Sequence, residues 1–463
     1  MYDCVPFSDK YNSSLKTQMN EFLESKLEEF KETSPLFQDS LIETISKDGH
    51  LLINGNIPQF SEEKRVKFWK CIEENHQTEI ISLISLEKSL IKLVDSTFQE
   101  QDYDYTPIKD AIYETVEILK KDDILLKRLS ILKSQNITLF QESIIKAIIS
   151  TRIGINNSLR ASPSQVFTAT LFSDIGELAT PEMIYPSIRK VLSASQIALY
   201  NQHPIISCLL FDRNLFPEEV THAILTHHLT LNNTGYPKEL FKFETTPESQ
   251  LLNITNTFIE MITRDKRQSQ EALKLLDFFS QSENSLGESI LPTYNRKYYE
   301  SLSELKMSCF SNNVLIKPKI TDRKDLVSII SNLINFGENH QKDYMSRLER
   351  NAIEVISKKH QDCIDLLYDT SQKIQSLTRF VSPITETEIN SLSLEEYNSL
   401  ATDVELLCDE IGRYSLNLIK HNKEITYSLQ DSNLMESSTK YLGKIIGFVN
   451  STPTKPLQKY LSM

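Results

Sequence analysis

A chain of 463 residues, 40% hydrophobic and 24% charged, is long enough for two or three domains and too apolar for a disordered class. Its net charge of −13, with no clustered stripe of Lys and Arg, excludes sequence-independent binding to nucleic acid or to an anionic membrane surface. Short basic runs such as "RDKR" at 264–267 read as solvated loops. The dispersed cysteines (Cys4, Cys71, Cys208, Cys309, Cys363 and Cys408) show no C-x-x-C spacing, so neither a disulfide framework nor a structural zinc site is expected. No signal-peptide pattern and no run of ~18 apolar residues is found, which gives the expectation of a cytoplasmic protein in a reducing compartment. Scarce Gly beside abundant Leu, Ile, Lys and Glu predicts a mainly α fold.

Residues 1–125 read as a small N-terminal domain, mainly helical. It opens with the amphipathic "SLKTQMNEFLESKLEEF", followed by a short β-hairpin at 49–60 turning at Asn54-Gly55. Trp69 falls on the apolar face of the next predicted helix, as a core residue. The acidic "QEQDYDYTP" at 99–107 interrupts the periodicity. Residues 126–310 then read as successive helices, several ended by Pro. In the last region, 311–463, Tyr397, Leu400, Val404, Leu407, Ile411, Tyr414, Leu418, His421 and Ile425 alternate at spacings of three and four, the pattern of a coiled-coil-like seam. A second stripe (Met345, Leu348, Ala352, Ile356, Cys363, Leu367, Ile374 and Leu377) makes a helical hairpin the economical partner, with a homodimer seam as the competitor. No Gly-rich phosphate loop occurs.

The chemistry-bearing residues concentrate in the middle region. His203, His222, His227 and His228 lie within 26 residues, downstream of Asp174. Imidazole and carboxylate together suit Fe, Mn or Zn. The competing reading is of helix-end histidines that cap carbonyls or face solvent. Neighbours on a helix diverge by ~100°, so His227 and His228 are expected to serve one ion each, or one ion and a substrate. Gly235 of "GYP" is expected to supply a backbone angle closed to other residues, and Pro237 to fix the exit from the turn. Tyr236 is assigned either to packing of that turn or to stacking on a base of a bound substrate.

Taken in order, "LFSDIGELATPEMI", "YNQHP", "ILTHHLTLNNTGYP" and "LLNITNTFIEMIT" resemble the HD-GYP family, a branch of the HD phosphohydrolases, over about 130–275. The resemblance implies an all-α central domain between the N-terminal α(+β) domain and the C-terminal long-helix hairpin. Family members with intact sites hydrolyse the bacterial second messenger cyclic di-GMP at a centre of two or three metal ions, two of them bridged by an Asp. The resemblance assigns metal ligation to Asp174, His203, His227 and His228, with Glu142 as a substitute ligand at the family's upstream His. Tyr236, through stacking on a guanine base, is the candidate substrate-binding residue. Departures accompany these matches. Ser173 stands at the His of the HD pair, Glu177 at a Lys, Leu229 at a carboxylate, Asn232 and Asn233 in the "DGxGYP" stretch, and Asn256 at a ligand Asp. Ser and Asn are neutral and weak ligands, and Glu177 reverses a charge that an anionic phosphodiester requires.

The expectation is therefore a catalytically impaired HD-GYP-like protein, a cytoplasmic signalling or scaffold module without cofactor. Partner proteins are expected at the N-terminal domain or the C-terminal helices. The alternatives are a cyclic di-GMP phosphodiesterase with an altered site holding one Fe, Mn or Zn ion, and a cyclic-dinucleotide sensor that does not hydrolyse its ligand.

Overall fold

The computed structural model describes residues 79–98, 103–157, 159–179, 200–201, 203–210, 216–232, 234–236, 245–264, 267–283, 289–307, 322–340 and 358–429, with the single positions 197, 320 and 342. The predicted hairpin at 49–60, Trp69, Asn233 and Pro237 lie outside the described residues. So do the side chains of Met345, Leu348, Ala352, Ile356, Cys363, His421 and Ile425.

Among the described residues the fold is all-α, as the composition and the resemblance both predict; the only β-type pairings there are two isolated bridges, Phe98 with Met307 and Glu283 with Ser289. The helices run α1 (Leu83–Thr97), α2 (Thr106–Lys121), α3 (Asp123–Gln135), α4 (Ile137–Ile155) and α5 (Pro163–Phe172), followed by a 3-10 turn at Ile175–Ala179. Then come α6 (His203–Leu210), α7 (Glu218–Thr226), α8 (Pro247–Thr263), α9 (Ser269–Ser280) and α10 (Arg296–Ser303). The C-terminal part comprises α11 (Arg323–Asn339), α12 (Lys358–Thr378), α13 (Glu386–Ser391) and α14 (Leu394–Leu429). Among the described residues no helix is long and apolar enough to cross a membrane.

Local chemistry sets where these helices begin. Asp122 accepts hydrogen bonds from the Ile124 and Leu125 amides at the start of α3. Ser162 and Gln165 form a reciprocal capping box ahead of α5, with Pro163 at the first helical position. Thr246 caps α8 through the Ser249 amide, again with Pro in the first turn.

Helix α4 is the axis of the domain. Its sequence is largely apolar apart from the face of Glu142, Lys146 and Ser150, and it is buried almost all round, so it is stable only where neighbours cover it. It packs against α2, α3, α5, α8 and α10. The core includes Phe167 and Phe172 of α5 and Phe258 of α8, each fully buried and worth roughly 1.5–3 kcal/mol of apolar transfer. Where α2 meets α5, the Thr115 and Thr168 hydroxyls join at 3.0 Å, so the polar atoms there are not left unpaired.

In the C-terminal part, α12 and α14 pack on each other, and the predicted stripe is the face they share. Tyr397, Val404, Leu407, Ile411 and Leu418 are buried on α14, as are Leu367, Ile374 and Leu377 on α12. Helix α9 joins this part to the central helices, through Lys274 with Asp403 and the ring contact of Phe278 with Phe380. Arg267, just ahead of α9, pairs with the fully buried Glu410 of α14. Arg264 and Arg267 of the "RDKR" run are thus not solvated as expected, because both are internal counter-charges.

Candidate metal centre

Two glycines let the backbones that carry the site approach one another. A Cβ at Gly176 would lie 2.3 Å from the His203 carbonyl oxygen and 2.6 Å from the Ser207 amide. Its absence lets the turn after Asp174 lie against the first turn of α6, where the Gly176 amide donates to the Ser207 hydroxyl at 2.8 Å. A Cβ at Gly235 would lie 1.8 Å from the His228 carbonyl oxygen. Close approach, and not a left-handed backbone angle, is therefore what requires glycine in the GYP turn.

This framework brings Asp174, His203, His227 and His228 together, with one potential ligand atom from each lying within 4.8 Å of all the others. Asp174 sits in the turn after α5, His203 opens α6, and His227 caps α7 with His228 following it. The expected divergence of the paired histidines does not occur. His227 ends the helix and His228 has left it, so both imidazoles turn into one cluster with ring centroids 4.1 Å apart.

The hydrogen bonds fix which imidazole nitrogens carry lone pairs. His203 Nδ1 lies 3.0 Å from the Tyr200 carbonyl oxygen and His227 Nδ1 lies 2.6 Å from that of Ile224, so each Nδ1 carries the hydrogen and donates it. Each Nε2 of the neutral ring then presents a lone pair. The two Nε2 atoms lie 3.3 Å apart, and each lies 3.3 Å from Asp174 Oδ1. With both rings neutral, three electron pairs face one another in an equilateral triangle, an arrangement that a cation between them would satisfy.

Ligand bonds of ~2.0–2.1 Å in tetrahedral geometry place ligand atoms ~3.3 Å apart, so the triangle fits a transition ion such as Zn. His228 Nε2 is buried and unpartnered, available as a fourth ligand. Burial holds the His227 and His228 imidazoles below their ordinary range, His228 well below it, which favours the neutral form that a metal requires.

The other oxygen of Asp174 is occupied. Lys146, at the middle of α4 and fully buried, donates from Nζ to Asp174 Oδ2 at 2.9 Å and lies 3.8 Å from Glu260 Oε1. Burial opposes an ammonium here, but the Asp174 and Glu260 carboxylates outweigh it and the lysine is raised above its usual range. Burial likewise opposes the Asp174 carboxylate, and the Lys146 ammonium nonetheless keeps it well below the ordinary range.

A second internal cation organises the substituted positions. Arg264, at the end of α8, donates through Nε and Nη2 to Glu142 Oε2, both at 3.2 Å, and through Nη1 to the Tyr200 hydroxyl at 2.7 Å. Tyr200 in turn donates to Glu177 Oε1 at 2.9 Å, and Arg264 Nη2 reaches that same oxygen at 3.4 Å. Glu142 is therefore held by a guanidinium and does not join the metal-ligand cluster. The charge reversal at Glu177 is answered within the protein, even though burial raises this carboxyl above its usual range.

The remaining substituted positions have structural explanations. Ser173 turns back to donate to the Thr170 carbonyl at 3.0 Å. Leu229 is buried, with its carbonyl oxygen bound by the Asn253 amide at 2.5 Å. Asn232 accepts from Thr230 and Thr234 at 2.9 and 2.7 Å and donates to Thr293 at 2.9 Å, tying the GYP turn to the loop before α10. Tyr236 stacks on His228 with ring centroids 4.2 Å apart and planes at 22°. Asn256, one helical turn ahead of Glu260 on α8, is fully buried with both amide atoms unpartnered.

Sequence reasoning missed Lys146 and Arg264. One signal pointed to Lys146: it lies four residues after Glu142, which puts it on the same helix face as that candidate site position.

Residues 125–283 match the family model described as HD domain. Comparison with curated proteins returns no match. Among solved structures the chain is similar to Bd1817, a HDG"Y"P protein from Bdellovibrio bacteriovorus, at 16% identity and a TM-score of 0.30, over 52% of this chain and 79% of that one. With the family match and the buried Asp/His cluster it encloses, the unit at residues 125–283 belongs to the HD domain family.

Proposed function

We propose that this chain is an HD-domain protein whose hydrolytic centre has been converted into an ion-paired core, and that it acts as a signalling or scaffold module. One observation carries this reading: the acidic groups standing at family site positions, Glu142 and Glu177, are spent on Arg264. A centre of two or more ions needs carboxylates and imidazoles on both sides of its bridging Asp. Here one side is supplied by Asp174, His203, His227 and His228, while the other holds ammonium and guanidinium groups. Burial supports the same reading. Asp174, His203 and His227 are each 0% exposed, as core residues are.

The four clustered residues favour a second reading, a one-ion phosphohydrolase. They are the residues that would hold an ion, and the chemistry it supplies when bound is Lewis-acid polarisation of a phosphoryl oxygen. In either reading Lys146 and Arg264 orient Asp174, Glu142 and Glu177, and Tyr236 covers the outer face of His228. A tyrosine packed on that imidazole does not offer the same face to a guanine base, which counts against the sensor alternative.

The test is turnover of cyclic di-GMP by purified full-length chain reconstituted with Mn²⁺, Fe²⁺ or Zn²⁺. The scaffold reading expects no product above the metal-only blank. Turnover that is lost in Asp174→Asn would establish the one-ion phosphohydrolase instead. Partners at the α12 and α14 helices or the N-terminal region, including a second copy of the chain, form the corresponding interaction proposal.

A further inference from the structure

We infer that Lys146 is a resident cation occupying the place of a second metal ion, and that it limits the centre to one divalent ion. The inference deepens the reading of an altered centre but concerns ion count, which is measured without any substrate.

The geometry divides Asp174 between two cationic positions. Its Oδ1 faces the two Nε2 lone pairs at 3.3 Å, and its Oδ2 accepts from the Lys146 ammonium at 2.9 Å. A bridging carboxylate in a two-ion centre makes the same division, one oxygen towards each ion. Lys146 reaches Oδ2 from α4, one helical turn after Glu142, and its side chain is 0% exposed. A buried ammonium persists only where carboxylates compensate it, and Asp174 with Glu260 do so.

The ammonium cannot leave for solvent without unpacking α4, whose neighbours surround it. A divalent ion arriving at Oδ2 would have to share a buried oxygen with a fixed positive charge, and the repulsion in so dry a site is severe. An ion at the Oδ1 triangle meets lone pairs on three sides instead. Glu142 and Glu177 are already paired with Arg264, and Glu260 Oε1 lies between the two cations, 3.8 Å from Lys146 and 3.5 Å from Arg264.

The test is a titration of full-length protein with Mn²⁺ by calorimetry, with electron paramagnetic resonance on the same samples. Wild type is expected to saturate at one ion per chain, with an uncoupled mononuclear spectrum. Lys146→Met is expected to bind that ion at least 10-fold more tightly, since the ammonium repels it. Lys146→His, which offers a ligand in place of the cation, is expected to take up a second, spin-coupled ion. Two ions in wild type, no binding to wild type at millimolar Mn²⁺, or unchanged affinity in folded Lys146→Met would each overturn the inference. None of these outcomes depends on turnover, so the functional reading can fail while this one stands, and the reverse.

Discussion

Arg264→Met removes the guanidinium while keeping an unbranched side chain of similar reach. Glu142 and Glu177, with side chains 4% and 1% exposed, then lose their principal counter-charge, and the Tyr200 hydroxyl loses its 2.7 Å donor. Removing one partner of a buried ion pair typically costs ~3–5 kcal/mol. Because Arg264 is itself 16% exposed, water relieves part of that cost and the lower end, ~3 kcal/mol, applies here. For a cooperative unit of this size, a loss of ~3 kcal/mol lowers Tm by roughly 6–12 °C. Arg264→Lys keeps the charge but cannot donate to Glu142 and Tyr200 together, so it should fall between the two. Thermal unfolding followed by circular dichroism at neutral pH reads the effect. A shift within ~1 °C for Arg264→Met would refute the claim that this guanidinium organises the core.

Three further outcomes follow from the same geometry. Gly235→Ala drives a methyl into the His228 carbonyl oxygen, 1.8 Å away, and should cost ~2–3 kcal/mol in urea unfolding; an unchanged midpoint would contradict the close approach. Asn256→Leu replaces two buried, unpartnered amide atoms by an apolar side chain and should leave stability unchanged or raise it by ~1 kcal/mol, whereas a loss beyond ~2 kcal/mol would reveal a partner for that amide. His222 and His340 are both pushed down by burial from 6.5 to about 4. Between these values the unfolded chain binds protons that the folded chain refuses, so stability falls as pH drops from 6.5 towards 4, by up to roughly 3 kcal/mol per histidine. Chemical denaturation across that range should show a shallower slope in His340→Leu; equal slopes would mean that this histidine titrates normally in the fold.

The ordered short motifs made half of the centre legible. Asp174, His203, His227 and His228 follow from "DIG", "HP" and "HH", and the structure gathers all four. Their convergence could not be read from helical geometry, because it depends on where α7 stops: a continued helix would have splayed His227 from His228. Gly235 was visible as a rare residue, but the cause of its necessity was not, since a steric approach to the carbonyl seven residues earlier leaves no local signature. The two internal cations were hidden for a different reason. Lys146 lies 28 residues before its partner and Arg264 lies 122 residues after Glu142, and an isolated Lys or Arg on a helix ordinarily marks a solvated face. The C-terminal seam was plain, because a stripe repeating at three and four needs a partner, and α12 and α14 supply one another.

Anomalous diffraction from crystals of the full-length protein grown with Mn²⁺ or Zn²⁺ tests the central claim most directly. The account predicts one anomalous peak, bounded by Asp174 Oδ1 and the His203 and His227 Nε2 atoms, with the Lys146 ammonium still seated on Asp174 Oδ2. Two peaks flanking Asp174, with Lys146 displaced, would contradict it.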